Sequence, residues 1–560
     1  MPRPAHRSPA APRTSAIALA ALLVCAAIAP SADPLRADAR GTADDVAATT
    51  TPAVAATATP AVPARIAALR DNFEARVTRH VLDNGWTFLL IEREGAPVFS
   101  FATFVDVGSA QEVPGITGLA HMFEHMAFKG TPNIGTTDYA AEAETLEAVE
   151  AAYLAWQAAD MAPRPDAARV AALEAAFRAR QAEAAAFVVP NEFGELVERE
   201  GGVGLNAATS ADQTFYFYSL PANKIELFAY LESERFLRPV FREFYKERDV
   251  VQEERRMAVG SRPTGRLLEQ LRSAAYVAHP YGQPVVGHMS DLRRFTATDA
   301  KRFYETHYVP GNMTTAIAGA IDPATLIPML ETYFGRMPAG PKPPPLRTIE
   351  PPQTAETIIR LEAPVQPTYT EFYHRPSGAH PDAVVLAAID DVLSNGRTGR
   401  FYRTLTVAQK QVAFTSVFPS FPGDKYPSLF GIIAVPNPGV TLETVRDGIH
   451  AELARLRDEP VSDDELARFK SRATATVLRS MQSDLGIAFR LAQAEMRHGD
   501  WRQSFDRLAA VHAVTAEDIQ RVARATFRAE NRTVGKVVPR AAETPDDRAS
   551  TNAPSQGDAR

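Results

Sequence analysis

Cysteine is almost absent: Cys25 is the only one in 560 residues, so no disulfide can staple the chain and its stability must come from packed cores. Basic excess is absent too. The 60 Lys and Arg residues stand against 67 Asp and Glu, with no basic block, which argues against nucleic acid as the natural partner. A long apolar run is also missing. The N-terminal stretch Ser15 to Ala29 (SAIALAALLVCAAIA) is Ala-rich and shorter than the roughly 20 residues that cross a bilayer, so no stable membrane span is expected in the mature chain. Arg3, Arg7 and Arg13 precede it and Pro30-Ser31-Ala32 follow it, the order of a removable secretory signal over residues 1–32. The mature protein is then expected in the periplasm or outside the cell. Lipid anchoring through Cys25 is the weaker alternative, because Val24 is bulky where such signals prefer a small residue.

Large apolar residues are scarce over 33–65, which are rich in Ala, Thr and Pro, and again over 539–560, so both read as disordered, a linker and a tail. What remains is broken by the Pro-rich segment 338–345, a boundary between domains spanning 66–337 and 346–538. Both open alike. In the first, β-rich runs Trp86 to Glu92 and Val98 to Val107 precede a helical stretch, and in the second Thr357 to Leu361 and Thr368 to Tyr373 precede the helical stretch Asp382 to Leu393. Long amphipathic helices are expected over Asn223 to Phe236 and Asp464 to Glu495. The expected fold class is α+β: two related domains, each an antiparallel or mixed sheet with helices packed on one face. An Ala-rich helical hairpin, split by Pro163-Arg164-Pro165, is inserted in the first at 139–190 and reads as a solvated structural addition in preference to a substrate-handling element.

His121-Met122-Phe123-Glu124-His125 carries the chemistry. Histidines four apart on a helix project from one face, close enough to share a metal ion. Zinc accepts neutral imidazole and, in a catalytic site, keeps one position for a water whose pKa it lowers to about 7. Glu124, beside that water, would take its proton and return it to a leaving amine. This is the inverted form of the better-known zinc peptidase motif. The competing reading, two histidines bonded locally in an amphipathic helix, is weakened by the Gly-containing polar loop Ser109 to Gly118 ahead of the motif.

Gly115 to Thr131 (GITGLAHMFEHMAFKGT) resembles the active-site helix of the pitrilysin and insulinase family of zinc peptidases, and more closely its two-domain, processing-peptidase-like branch. Leu205 to Pro221, Lys246 to Met257, His279 to Gly287 and His307 to Gly319 extend the resemblance in order along the first domain. It implies a zinc metalloendopeptidase with His121 and His125 as ligands and Glu124 as base. In KERDVVQEERRM it implies Glu254 as third ligand, with Glu253 the lesser alternative, and Glu247, seven residues earlier on the same helical face, as the group orienting a ligand histidine. The segment Leu205 to Thr209 matches the family's edge strand, so Asn206 and Ala207 are expected to hold an extended peptide substrate.

The resemblance also has departures. The gap from His125 to Glu254 exceeds the family's by about the length of the hairpin. The second domain has Thr406 or Val407 where active members carry a substrate-contacting arginine, and Phe414 where they carry a tyrosine, with Arg403 a substitute only if the loop is re-registered. Two domains are also half of the four that enclose substrate in this family. The expected partner is therefore a homologous subunit that lacks the zinc motif and supplies the missing residues, with a homodimer as the alternative. A non-catalytic or structural subunit of a heteromeric complex, or a peptide-binding module with structural zinc, are the rival functions.

Overall fold

The computed structural model describes residues 62–540. The expected signal over 1–32, the linker up to residue 61 and the tail from 541 lie outside the described residues. The last linker residues instead open a helix, α1 (Val62–Glu74), because Pro63 is tolerated in a first turn and the residues after it are good helix formers.

Strands β1 (Val77–Val81), β2 (Thr87–Glu92), β3 (Val98–Val105), β4 (Val203–Thr209), β5 (Thr214–Pro221) and β6 (Met313–Gly319) form one sheet in the order β1-β2-β6-β3-β5-β4. Only the β2–β6 pair is parallel. The helices that matter in this half are α2 (Leu119–Met126), the hairpin α3 (Tyr139–Asp160) and α4 (Ala167–Ala185), α5 (Ile225–Leu237), α6 (Phe244–Arg255), α7 (Pro263–Ala275), α8 (Ala297–His307) and α9 (Pro323–Phe334). The hairpin's two N-termini are capped by Asp138, which accepts from the Ala141 N–H at 3.2 Å, and by Asp166, which accepts from the Ala168 N–H at 3.0 Å.

Residues 338–356 run without regular structure, further than the Pro-rich core of the segment. They are pinned rather than free, since the Glu350 carboxylate accepts from the N–H groups of Val277, Ala278 and His279 at 2.7 to 3.0 Å. Beyond them β7 (Thr357–Ala363), β8 (Thr368–Arg375), β9 (Val412–Phe421), β10 (Ser428–Pro436) and β11 (Arg532–Pro539) form a second mixed sheet, ordered β7-β11-β8-β10-β9. Its helices are α10 (Asp382–Ser394), α11 (Leu442–Asp458), α12 (Asp463–Ser480), α13 (Asp484–His498), α14 (Gln503–Ala513) and α15 (Ala516–Thr526).

Two α+β units with mixed sheets are as expected; what covers the sheets is not. Phe99, Phe101 and Val105 of β3 enter the core made with the first half's own helices, whereas Ala102 and Phe104, on the opposite face, enter a core with Ile487, Ala488 and Leu491 of α13. Reciprocally, α7 of the first half lies across β7 and β11 of the second. Each sheet is thus buried on both faces, and the second layer comes from the other half.

The single long helix expected over Asp464 to Glu495 is in fact two. Ser483 caps α13 by accepting from the Gly486 N–H at 3.1 Å, and a Cβ at Gly486 would fall 2.0 Å from the Ser480 carbonyl oxygen. That turn directs α13 onto the first sheet. The contact is tightened by Asp212, in the β4–β5 turn, which accepts from the N–H groups of Asp424 at 2.8 Å and Lys425 at 3.1 Å and from the Tyr281 hydroxyl.

Candidate metal centre

The short helix α2 is held by its first turn. Gly118, its cap, has φ +95°, and a Cβ there would meet the Val286 carbonyl oxygen at 2.8 Å, so glycine is required. The buried Glu112 carboxylate accepts from the N–H groups of Gly118 and Ala120, both at 2.7 Å, filling two of the helix's unpaired donors. Burial pushes that carboxyl up to about 8 against these two bonds. Asp291 accepts from the N–H of Thr117 at 3.2 Å and its hydroxyl at 2.7 Å and so fixes the preceding loop. Met122, Phe123 and Met126 face the core, which leaves His121, Glu124 and His125 on the other side.

The two imidazoles lie 4.8 Å apart, ring to ring and nearly perpendicular. Glu254, on the last turn of α6, brings a carboxylate oxygen to 3.6 Å from His121 Nε2 and 3.8 Å from His125 Nε2. One ligand atom from each of the three lies within 4.8 Å of the others, and among the described residues no other group of His, Cys, Asp or Glu meets that condition. A tetrahedral zinc site places its ligand atoms about 3.3 Å apart, so a small inward shift would seat the ion. Glu253 turns outward to Arg256 instead.

The tautomer of His125 is set from behind. Its Nδ1 lies 2.8 Å from a Glu247 carboxylate oxygen, and the other Glu247 oxygen is 2.6 Å from Lys129 Nζ. The His125 bond, with Lys129 added, holds the Glu247 carboxyl down to about 2. His125 itself is raised, since the carboxylates of Glu247, Glu254 and Glu124 outweigh its burial. Burial, with His125 beside it, takes His121 down to about 3 and keeps its imidazole neutral, the form that ligates a metal. Burial raises Glu124, against Thr209 of β4 beside it.

β4 runs alongside α2 as the free edge of the sheet, paired only with β5. A register shift between Val203 and Asn206 marks a bulge, and Asn206 is exposed while Ala207 is buried. In the second half, Val407 is exposed, Thr406 is half-buried, and Phe414 lies near the start of β9. Arg403 pairs with Glu465 at 3.4 Å, so its charge is engaged at the start of α12.

Glu112 and Lys129 were not singled out in the sequence. Lys129 lies one helical turn beyond His125, a spacing that could have flagged it; Glu112 carries no such signal, because its donors come from a turn it does not belong to.

Two family models match the chain and together cover more than half of it. Residues 87–156 and 188–288 match the model described as Insulinase (Peptidase family M16), and residues 294–473 match Peptidase M16 inactive domain. The chain belongs to the M16 family. Its M16 relatives include the zinc protease PqqE of Helicobacter pylori, 28% identical over 393 residues that make up 68% of this chain and 74% of that protein. The beta subunit of the mitochondrial-processing peptidase of Saccharomyces cerevisiae is 24% identical over 473 residues, 81% of this chain and 89% of its own. Among solved structures, a protease from Helicobacter pylori superposes with a TM-score of 0.69 at 23% identity, covering 83% of this chain and 99% of that one, a likeness of fold. The second M16 model begins at residue 294, yet β6, within that match, lies in the middle of the first sheet.

Proposed function

We propose that this M16 chain is a zinc-dependent metalloendopeptidase with residues 66–337 as its catalytic domain and 346–538 as a second, related one. The observation that carries this reading is the convergence of His121, His125 and Glu254 at distances an ion can bridge, with Glu124 on the same face of α2. Relatives named as zinc proteases support it. Zinc bound by these three residues would lower the pKa of a water to about 7 and polarise the scissile carbonyl.

The chain's own residues divide the remaining work. Glu124 takes a proton from the attacking water and passes it to the leaving amine as the carbon–nitrogen bond breaks. Glu247, held by Lys129, keeps His125 in the tautomer whose Nε2 faces the site. The exposed edge of β4, with Asn206 and Ala207, adds an extended peptide as a further strand, so main-chain bonds hold the substrate with little demand on its side chains.

A partner completes the enclosure in this reading. In the segment 401–414 neither Thr406 nor Val407 offers a guanidinium, Phe414 offers no phenol and Arg403 is paired with Glu465, and one relative is itself named as a subunit. We take the partner to be a homologous subunit without the zinc motif. In this reading the leader-like N-terminal sequence directs the mature chain to the periplasm or outside the cell; no described helix is long and apolar enough to cross a membrane. The same second-half residues also favour the rival reading, a non-catalytic subunit. Elemental analysis of the purified chain with an assay on mixed peptides separates the two: one zinc per chain with cleavage lost in Glu124→Gln supports the peptidase, and no zinc supports the rival.

A further inference from the structure

The family match is interrupted between residues 156 and 188, the stretch that holds the tip of the hairpin and all of α4. Most of this addition is exposed Ala and charge, but Phe177 of α4 is buried. Its ring lies 5.2 Å from Tyr153 of α3 and 5.1 Å from Tyr245 of α6. Those two tyrosines, 4.1 Å apart, both face the guanidinium of Arg248, at 4.8 and 4.9 Å. Arg248 also donates to the Tyr153 hydroxyl at 2.5 Å and to the Phe295 carbonyl oxygen at 3.2 Å.

Arg248 directly follows Glu247 and lies on the helix whose last turn carries Glu254. It is 6% exposed and has no carboxylate within 4 Å among the described residues, so its charge is accommodated by two ring faces and two acceptors. Phe177 packs against both tyrosines and keeps their faces on Arg248; once a ring face moves away, the buried cation is under-solvated and the helix must shift to rehydrate it. Metal ligands tolerate displacements of only about 0.2 Å. Elsewhere the seam between hairpin and α6 holds one further tie, from the Tyr245 hydroxyl to Glu150 of α3, beside a cavity of about 370 Å³ lined by Leu146, Val149, Ala184, Val188 and Phe244 among others. Arg242 bonds Glu142 at 2.5 and 2.7 Å at the base of the hairpin, two residues ahead of α6.

We propose that the added helix α4 is a positioning element of the metal centre, in which Phe177, acting through Tyr153 of α3 and Arg248, holds α6 so that Glu247 and Glu254 meet the histidines. This rests on the zinc reading above. The test measures zinc affinity, by competition with a chromogenic chelator, together with the melting temperature of the zinc-free protein. Phe177→Ala is expected to weaken zinc by about tenfold, as loss of a group supporting a ligand does. Trp156→Ala removes a ring that stacks on Phe177 and meets Tyr153 edge-on without facing α6, and is expected to lower the melting temperature with zinc affinity unchanged. Should Phe177→Ala fail to fold, Tyr153→Phe keeps the ring and removes the hydroxyl that Arg248 reaches, which also donates to the Arg293 carbonyl oxygen at 3.1 Å, and is expected to weaken zinc with little change in melting. Unchanged zinc affinity in whichever of these two variants folds, or equal losses in Phe177→Ala and Trp156→Ala, overturns the proposal. Wild-type chain that binds no zinc, or zinc binding that survives His121→Ala, overturns the metal reading itself, and this inference falls with it.

Discussion

His125 Nδ1 and the Glu247 carboxylate lie 2.8 Å apart, and the same carboxylate is anchored on its far side by Lys129. Removing such a partner frees the ring to rotate and removes the charge that raises its basicity. Glu247→Ala is expected to bind zinc 10- to 100-fold more weakly, roughly the loss seen for outer partners of ligating histidines. Chelator competition measures it, and an unchanged affinity would show that His125 is oriented by something else.

Glu124 and Glu254 face the same space but are assigned different work. Glu124→Gln should keep one zinc per chain and lose cleavage by about 10²- to 10⁴-fold, the range attributed to a positioned proton carrier. Glu254→Gln should lose most of its zinc. Elemental analysis and peptide assay of both variants give the answer, and normal turnover in Glu124→Gln would sink the mechanism.

Recognition through an edge strand requires a substrate backbone that is not already paired. Short unstructured peptides of unrelated sequence are expected to be cut at comparable rates, while a stable folded protein survives until it is denatured. Mass spectrometry of timed digests tests this, and rapid digestion of the folded protein counts against it.

Arg403 is tied to Glu465, and Phe414 has no hydroxyl, so the second half offers no free group to stabilise a developing oxyanion at these positions. The isolated chain is expected to have low activity that rises on mixing with a homologous subunit lacking the zinc motif. Full activity of the chain alone, unaltered by such a subunit, would refute the heterodimer.

The second half also carries a stability switch remote from the metal. Arg400 donates to both Glu465 oxygens, at 2.8 and 2.9 Å, and this bond, against burial, holds the carboxyl down to about 2 from its ordinary 4.5. A depressed carboxyl stabilises the fold above its ordinary range and stops doing so as pH falls toward the folded value. Glu465→Gln should therefore cost about 3 kcal/mol at pH 7, with the gap to wild type closing between about pH 4.5 and 2. Denaturant melts across that window measure it; a gap independent of pH would assign the loss to packing.

His121 and His125 were legible because helical periodicity is local: four residues along a helix return to one face whatever surrounds it. The same logic placed Glu247 and Glu254 on one face of α6, and repeated apolar runs revealed two α+β units. The hairpin could be read from its Ala-rich propensity and its Pro break. Local signals did not reach further. That Glu254 rather than Glu253 meets the imidazoles depends on how α6 is rotated against α2, which packing over a hundred residues of separation decides. The break before α13 follows from Ser483 and Gly486, whose meaning appears only once the first sheet is there to receive the helix. Glu112 and Arg248 read as ordinary charges in the chain. The tertiary fold buries them, and a buried polar or charged group must find donors, acceptors or ring faces, so burial is what gives each of them a task.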